Sequence, residues 1–158
     1  MPRKKKGSAR TIGWLDEPEA HNYPAARSYL NLVMDPAAAR KAVRKLRAAT
    51  VSHFKAKDIF RASSLSLLGI SNSHVEKDRR KIARGKALSP ILLVRQSGKV
   101  VIADGYHRLC AVYGFDEDAP IPCKIVSVIP RRPRPRAAPS RAARPRGPSR
   151  PSAAGTWG

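Results

Sequence analysis

Apolar residues recur along this chain first at helical and then at strand spacing. Asp35-Pro36 is followed by a run rich in alanine and basic residues, in which Val43, Leu46 and Ala49 fall on one stripe. An aspartate that accepts from free N–H groups, with proline at the first helical position, marks a helix start. A shorter helix is expected before it, over 25–33. Another is expected over 55–63, carrying Ile59 and Phe60. Ser73 with Glu76 three residues on fits a capping box, which opens a charged helix over 74–83 that Gly85 ends.

The period then changes. Ile91-Leu92-Leu93-Val94 and Val100-Val101-Ile102-Ala103 flank Gln96-Ser97-Gly98-Lys99, two apolar runs around a glycine turn, which predicts a hairpin. A short amphipathic helix is expected over 107–113, stopped by Gly114. A last strand is expected over 121–129, with Pro122 near its start and Pro130 at its end. His53 and Phe54 are expected to pack beside the helix that follows them. The fold class these elements imply is α+β: a small single domain with N-terminal helices and then a short mixed sheet.

Charge adds tails to this picture. The 158 residues hold 32 Lys and Arg against 11 Asp and Glu, a formal net charge of +21. Five basic residues lie in 1–10 and eight arginines in 131–158, with no acid in either stretch. Residues 11–130 keep the other 19 basic residues and all 11 acids, for a net of +8. The last stretch is built from Arg, Pro, Ala, Ser and Gly, with Trp157 its one large apolar residue. Such composition offers no face to bury, so 131–158, and with it 1–10, is expected to be a disordered basic tail. The length suits one ordinary domain and excludes a separate substrate domain.

Cys110 and Cys123 do not make a disulfide framework and sit among apolar neighbours, as free thiols in a reducing compartment do. No run approaches the roughly 20 apolar residues of a membrane span. The expectation is a cytoplasmic protein without a membrane partner. His21, His53 and His74 are far apart with no ligand spacing, which argues against a metal site built on them.

Chemistry concentrates in Ala103-Asp104-Gly105-Tyr106-His107-Arg108, where a buried strand ends at an acid and a glycine and a helix begins with His and Arg. A helix N-terminus presents free N–H groups and a partial positive charge, which suits phosphate. Gly105 lets the backbone approach an anion. Arg108, expected to be an exposed side chain, can fork two hydrogen bonds to phosphate oxygens. His107 can donate to phosphate or move a proton, and Asp104 can hold Mg²⁺ by one oxygen. The plainer reading makes Asp104 an N-cap, Gly105 a turn residue and Arg108 a surface charge.

The stretch from about Leu88 to Val126, and more loosely from Val75, resembles the ParB/sulfiredoxin superfamily. Pro90-Ile91-Leu92-Leu93-Val94 and Gly105-Tyr106-His107-Arg108-Leu109-Cys110-Ala111 are similar to that family's Pro-Ile-x-Val strand and Gly-x-x-Arg-x-x-Ala turn. The resemblance implies a ParB/sulfiredoxin-like domain over 11–130. It also implies a nucleotide cofactor (ATP, ADP or CTP, with Mg²⁺) held by Gly105 and Arg108 and by the backbone N–H groups of Tyr106 and His107. Asp104-Gly105-Tyr106-His107-Arg108 is also similar to the Asp-Gly-His-His-Arg element of ParB-like free-serine kinases. On that reading Asp104 and His107 would be catalytic, and Glu76 and Asp58 are the carboxylates available as a second acid. The reactive cysteine of sulfiredoxins falls on Tyr106, which excludes that repair chemistry. Beyond Pro130 no helix-turn-helix DNA reader follows, so operator reading of the ParB kind is not expected.

Three functions therefore stand side by side. One is a nucleotide-binding module and another a small Mg-dependent phosphotransferase or nucleotide hydrolase. The third is a protein whose tails attract nucleic acid without sequence preference. The tails read equally well as solubilising. The run 77–86 carries six basic residues. If that helix flanks the Asp104–Arg108 turn, Arg79 or Arg80 would be a second phosphate clamp.

Overall fold

The computed structural model describes residues 11–69, 71–128 and 155. The tails expected over 1–10 and 131–158 thus lie, but for Gly155, outside the described residues. Among the described residues there are five helices and four strands: α1 (Asn22–Val33), α2 (Pro36–Ala48), β1 (Ser52–Lys55), α3 (Ala56–Ser63), α4 (Ser73–Ala83), β2 (Ile91–Gln96), β3 (Lys99–Asp104), α5 (Tyr106–Phe115) and β4 (Pro120–Ser127). The fold is a small α+β domain. Among the described residues no helix is long and apolar enough to cross a membrane.

The sheet is mixed, in the order β1-β4-β2-β3, with β4 and β2 parallel and the two outer pairs antiparallel. Alternation along the strands splits the core between its two faces. Leu92, Val94 and Ala103 pack against Leu30 of α1 and Ala42 and Leu46 of α2. Ile91, Leu93, Ile102 and Ile121 pack against Ile59, Val75, Leu109 and Val112 of α3, α4 and α5. Helices thus cover both faces, and β2 is buried along its apolar run, as a central strand must be.

Local rules account for most boundaries. Asp35 Oδ1 accepts from the N–H groups of Ala37 and Ala38 at 2.8 and 3.3 Å, with Pro36 opening α2. The hairpin turns on Ser97 and Gly98, both at positive φ (50° and 77°), the pattern of a two-residue type I′ turn.

Four local expectations need correction. Asn72, not Ser73, caps α4: its Oδ1 accepts from His74 and Val75 N–H at 3.0 and 3.3 Å. Glu76, freed from the capping box, instead pairs with Arg80 at 2.5 Å. Gly114 does not stop α5, which continues to Phe115. Its missing side chain makes room for Arg79, whose Nη1 lies 2.7 Å from where a Cβ would stand. Finally, Ser52–Lys55, which carries His53 and Phe54, is a strand that the sequence pattern does not predict. Four residues at a sheet edge, three of them exposed, leave no periodic signal to read.

Pro120 and Pro122 lie inside β4, which has neighbours on both sides further along. They are tolerated because pairing with β2 begins only at Cys123. Before that residue β1 is the sole neighbour, with Lys55 and His53 opposite the two prolines. Lys124, in the paired part, is 3% exposed. Its Nζ pairs with Glu17 at 2.6 Å and donates to the Arg47 carbonyl at 3.3 Å. Burial pulls its pKa down, but Glu17 and Tyr23 outweigh burial and hold the ammonium charged. This pair ties the N-terminal segment to the sheet. Trp14 bridges Leu88 beside it, and Leu15 N–H donates to the Leu88 carbonyl at 2.8 Å.

Candidate functional site

The site grows from the junction of β3 and α5. Ile102 and Ala103 are buried in the sheet and fix the end of β3, while Leu109 to Val112 bury one side of α5. Gly105 joins them at φ 103°, a region costly for any residue with a Cβ. A Cβ there would also stand 2.9 Å from Ile91 Cγ1 and 2.9 Å from Arg108 Nη2. Glycine is required twice, for its dihedral and for the close approach of Arg108.

Arg108 is not the exposed side chain expected. It folds back over Gly105, its side chain 13% exposed, and pairs with Asp104 Oδ2 at 2.5 Å. Its Nε is buried and makes no hydrogen bond among the described residues. Asp104 is not an N-cap either, because no side chain caps this terminus. The free N–H groups of the first turn stay available, whereas those of α4 are taken by Asn72.

Two residues of α4 join the turn. His74 stacks on His107 with ring centroids 4.9 Å apart, and Arg79 lies over Phe115 at 4.6 Å. The start of α4 therefore meets the start of α5, its later turns meet the end, and the two helices run the same way. Their positive ends converge beside Asp104 and Arg108. Asp78, one turn beyond His74, is almost fully buried. Its charge acts on His107, and it lies 3.6 Å from Lys81 Nζ. Burial, followed by His74 and Arg108, lowers the His107 pKa against the opposing pull of Asp78 and Asp104.

Tyr106 closes one side. Its hydroxyl donates to the Ser66 carbonyl and so ties the loop between α3 and α4 across the start of α5. The Cys110 thiol lies against Tyr106 and is raised in pKa chiefly by burial. Cys123 is pushed up to about 12 by burial. Neither has the environment of a reactive thiolate.

The residues read from the sequence at 104–108 are thus together, as their adjacency requires. The proposed helpers are not. Arg79 is committed to Phe115 and Gly114 at the far end of α5, Arg80 to Glu76, and Asp58 to Arg61. His74 and Asp78 take their place. Asp78 was visible in principle, since it shares the stripe Val75, Asp78, Ile82 that α4 buries, and an acid on a buried stripe calls for a partner. His74 carried no such mark. Among the described residues no three His, Cys, Asp or Glu side chains are grouped to hold a metal ion. The chain matches no family model, no curated protein and no solved structure.

Proposed function

We propose that this is a ParB-like nucleotide-binding protein that holds nucleotide phosphates at the turn from Gly105 to Arg108. The observation that carries the reading is the Arg108 guanidinium, laid over a glycine at an uncapped helix N-terminus, with one nitrogen on Asp104 and its Nε unused. A phosphate would bind here by displacing the guanidinium from over Gly105. It would take the N–H groups of Tyr106 and His107 and draw Arg108 away from Asp104, a charge-assisted pair exchanged for a bidentate one. Asp104 would then be free to take one position on Mg²⁺, which supplies neutralisation of phosphate charge. His74 and His107 would donate from the side.

A second reading is a small phosphotransferase or hydrolase. What favours it is His107, kept largely neutral by burial beside the carboxylates of Asp78 and Asp104, as a general base must be. Thermal shift with ATP, ADP and CTP, with and without Mg²⁺, tests binding. Turnover assays on the same samples separate the readings. Stabilisation by a nucleotide that Arg108→Ala abolishes is expected. Absence of any shift across the three nucleotides sinks both.

A further inference from the structure

We propose that the groove at the β1 end of the sheet is a docking site for the chain's own Arg/Pro-rich C-terminal segment, residues 131–158. This inference is independent of the nucleotide reading. The groove encloses about 840 Å³ between the N-terminal segment, β1, the end of α5 and the start of β4. Trp14, Phe115, Pro120 and Pro122 give it an aromatic and apolar floor, and Asp16 and Asp116 line it.

Acids are scarce in this protein, and two of them line this groove. Of the 11 in the chain, six fall in the two runs 16–19 and 116–118. Each run contributes one of the two lining carboxylates. Glu17, Glu19 and Asp118 have cationic partners, in Lys124, His21, and Lys55 with Lys57. Asp16 and Asp116 make no ion pair among the described residues, although the chain carries 32 Lys and Arg. An aromatic floor with free carboxylates suits an extended peptide in which prolines alternate with arginines. The prolines pre-set a polyproline conformation that packs on aromatic rings, and guanidinium groups pair with carboxylates and lie over ring faces.

Residues 131–158 have that composition, with eight arginines, six prolines and no acid. They can also reach. The described chain leaves β4 at Val128, and the eight residues of β4 lead back to the groove, about 26 Å away at strand rise. Some nine residues in polyproline conformation cover that span, at about 3.1 Å each. Most of the segment then remains to occupy the groove. A second copy is a poorer occupant: β1 is a four-residue edge strand with Lys55 at its end, too short and too charged to template strand pairing.

The test uses the full chain with Ser149→Cys carrying a nitroxide. Cys110 and Cys123 are buried, with thiol pKa values raised by burial, so labelling favours the added cysteine. In a ¹⁵N spectrum at low salt, the amides of Trp14, His53 and Phe115 should lose most of their intensity, and regain it at high salt. In Asp16→Asn/Asp116→Asn the same amides should stay sharp. Both positions are exposed, and asparagine keeps the acceptor that Asp116 Oδ1 offers to Asp118 N–H, so the fold is retained. Broadening that is absent, centred on Gly105, or unchanged in the double variant overturns the proposal. So does broadening that appears on ¹⁵N molecules without label only when labelled ¹⁴N molecules are mixed in, because the tail would then come from another copy.

Discussion

The Gly105 turn and the groove at the far end of α5 are opposite kinds of site. The turn is built from five consecutive residues, faces two helix N-termini, and spends its one arginine on its one adjacent carboxylate. The groove is assembled from residues near 14, 53, 116 and 120, lies beside the C-terminal end of α5, and leaves two carboxylates unpaired. α5 connects them. Its dipole favours anions at Tyr106 and cations beyond Phe115, so one helix sorts the two charge types to its two ends. On the two proposals, a strongly basic chain would hold one site for an anion and one for a cation without either neutralising the other.

The two sites differ most at Gly105. Gly105→Val places a branched side chain at φ 103° and into Ile91 and Arg108, and should cost about 4 kcal/mol from backbone strain and overpacking. Urea unfolding measures it. Neither groove carboxylate should approach that loss when replaced by asparagine. A cost under about 1 kcal/mol would show that the turn relaxes freely and is no preorganised cradle.

Ligand comes next. A nucleotide at about 100 times its dissociation constant should add about 2.7 kcal/mol of stability. The groove variant Asp16→Asn/Asp116→Asn should keep this gain in full. Arg108→Ala should lose it. Without ligand, Arg108→Ala should itself cost about 2 kcal/mol, because it strands the partly buried Asp104 carboxylate. Asp104→Asn sharpens the distinction: it frees Arg108, so metal-free nucleotide should bind more tightly than to the parent. Weaker metal-free binding in Asp104→Asn would show that Arg108 does not exchange partners.

Acid should weaken the turn. The folded His107 pKa lies below its ordinary value, so the unfolded chain takes up its proton first as pH falls. The stabilising contribution is whole above about pH 6.5, the ordinary histidine value, and fades as pH drops through the folded value. His107→Gln should flatten that part of the stability–pH curve, measured by thermal melts between neutral and acid pH. The smallest effect belongs to the groove. At high salt, where the proposed tail contact is released, Asp16→Asn/Asp116→Asn alters exposed charges without ion pairs and should change unfolding free energy by less than about 0.5 kcal/mol.

Sequence alone carried what is local. Asp35-Pro36, the Ser97-Gly98 turn and the adjacency of Asp104, Gly105 and Arg108 are short-range facts, fixed by capping, dihedral preference and chain connectivity. The α+β class followed from the change of period between the two halves. Even within the turn, however, neighbours in sequence did not reveal that Arg108 would fold back on Asp104. That depends on Gly105 leaving room beside Ile91, a residue of another strand. Tertiary structure alone decided the rest. It ran α5 through Gly114 to admit Arg79, and made a strand of Ser52–Lys55 by offering β4 as a partner. It also set His74 against His107, 33 residues away in sequence, and brought Asp16 and Asp116 to one groove. The physical reason is the same throughout: capping and turn preferences act over a few residues, whereas side chains meet across the sheet and between helices according to which faces must be buried.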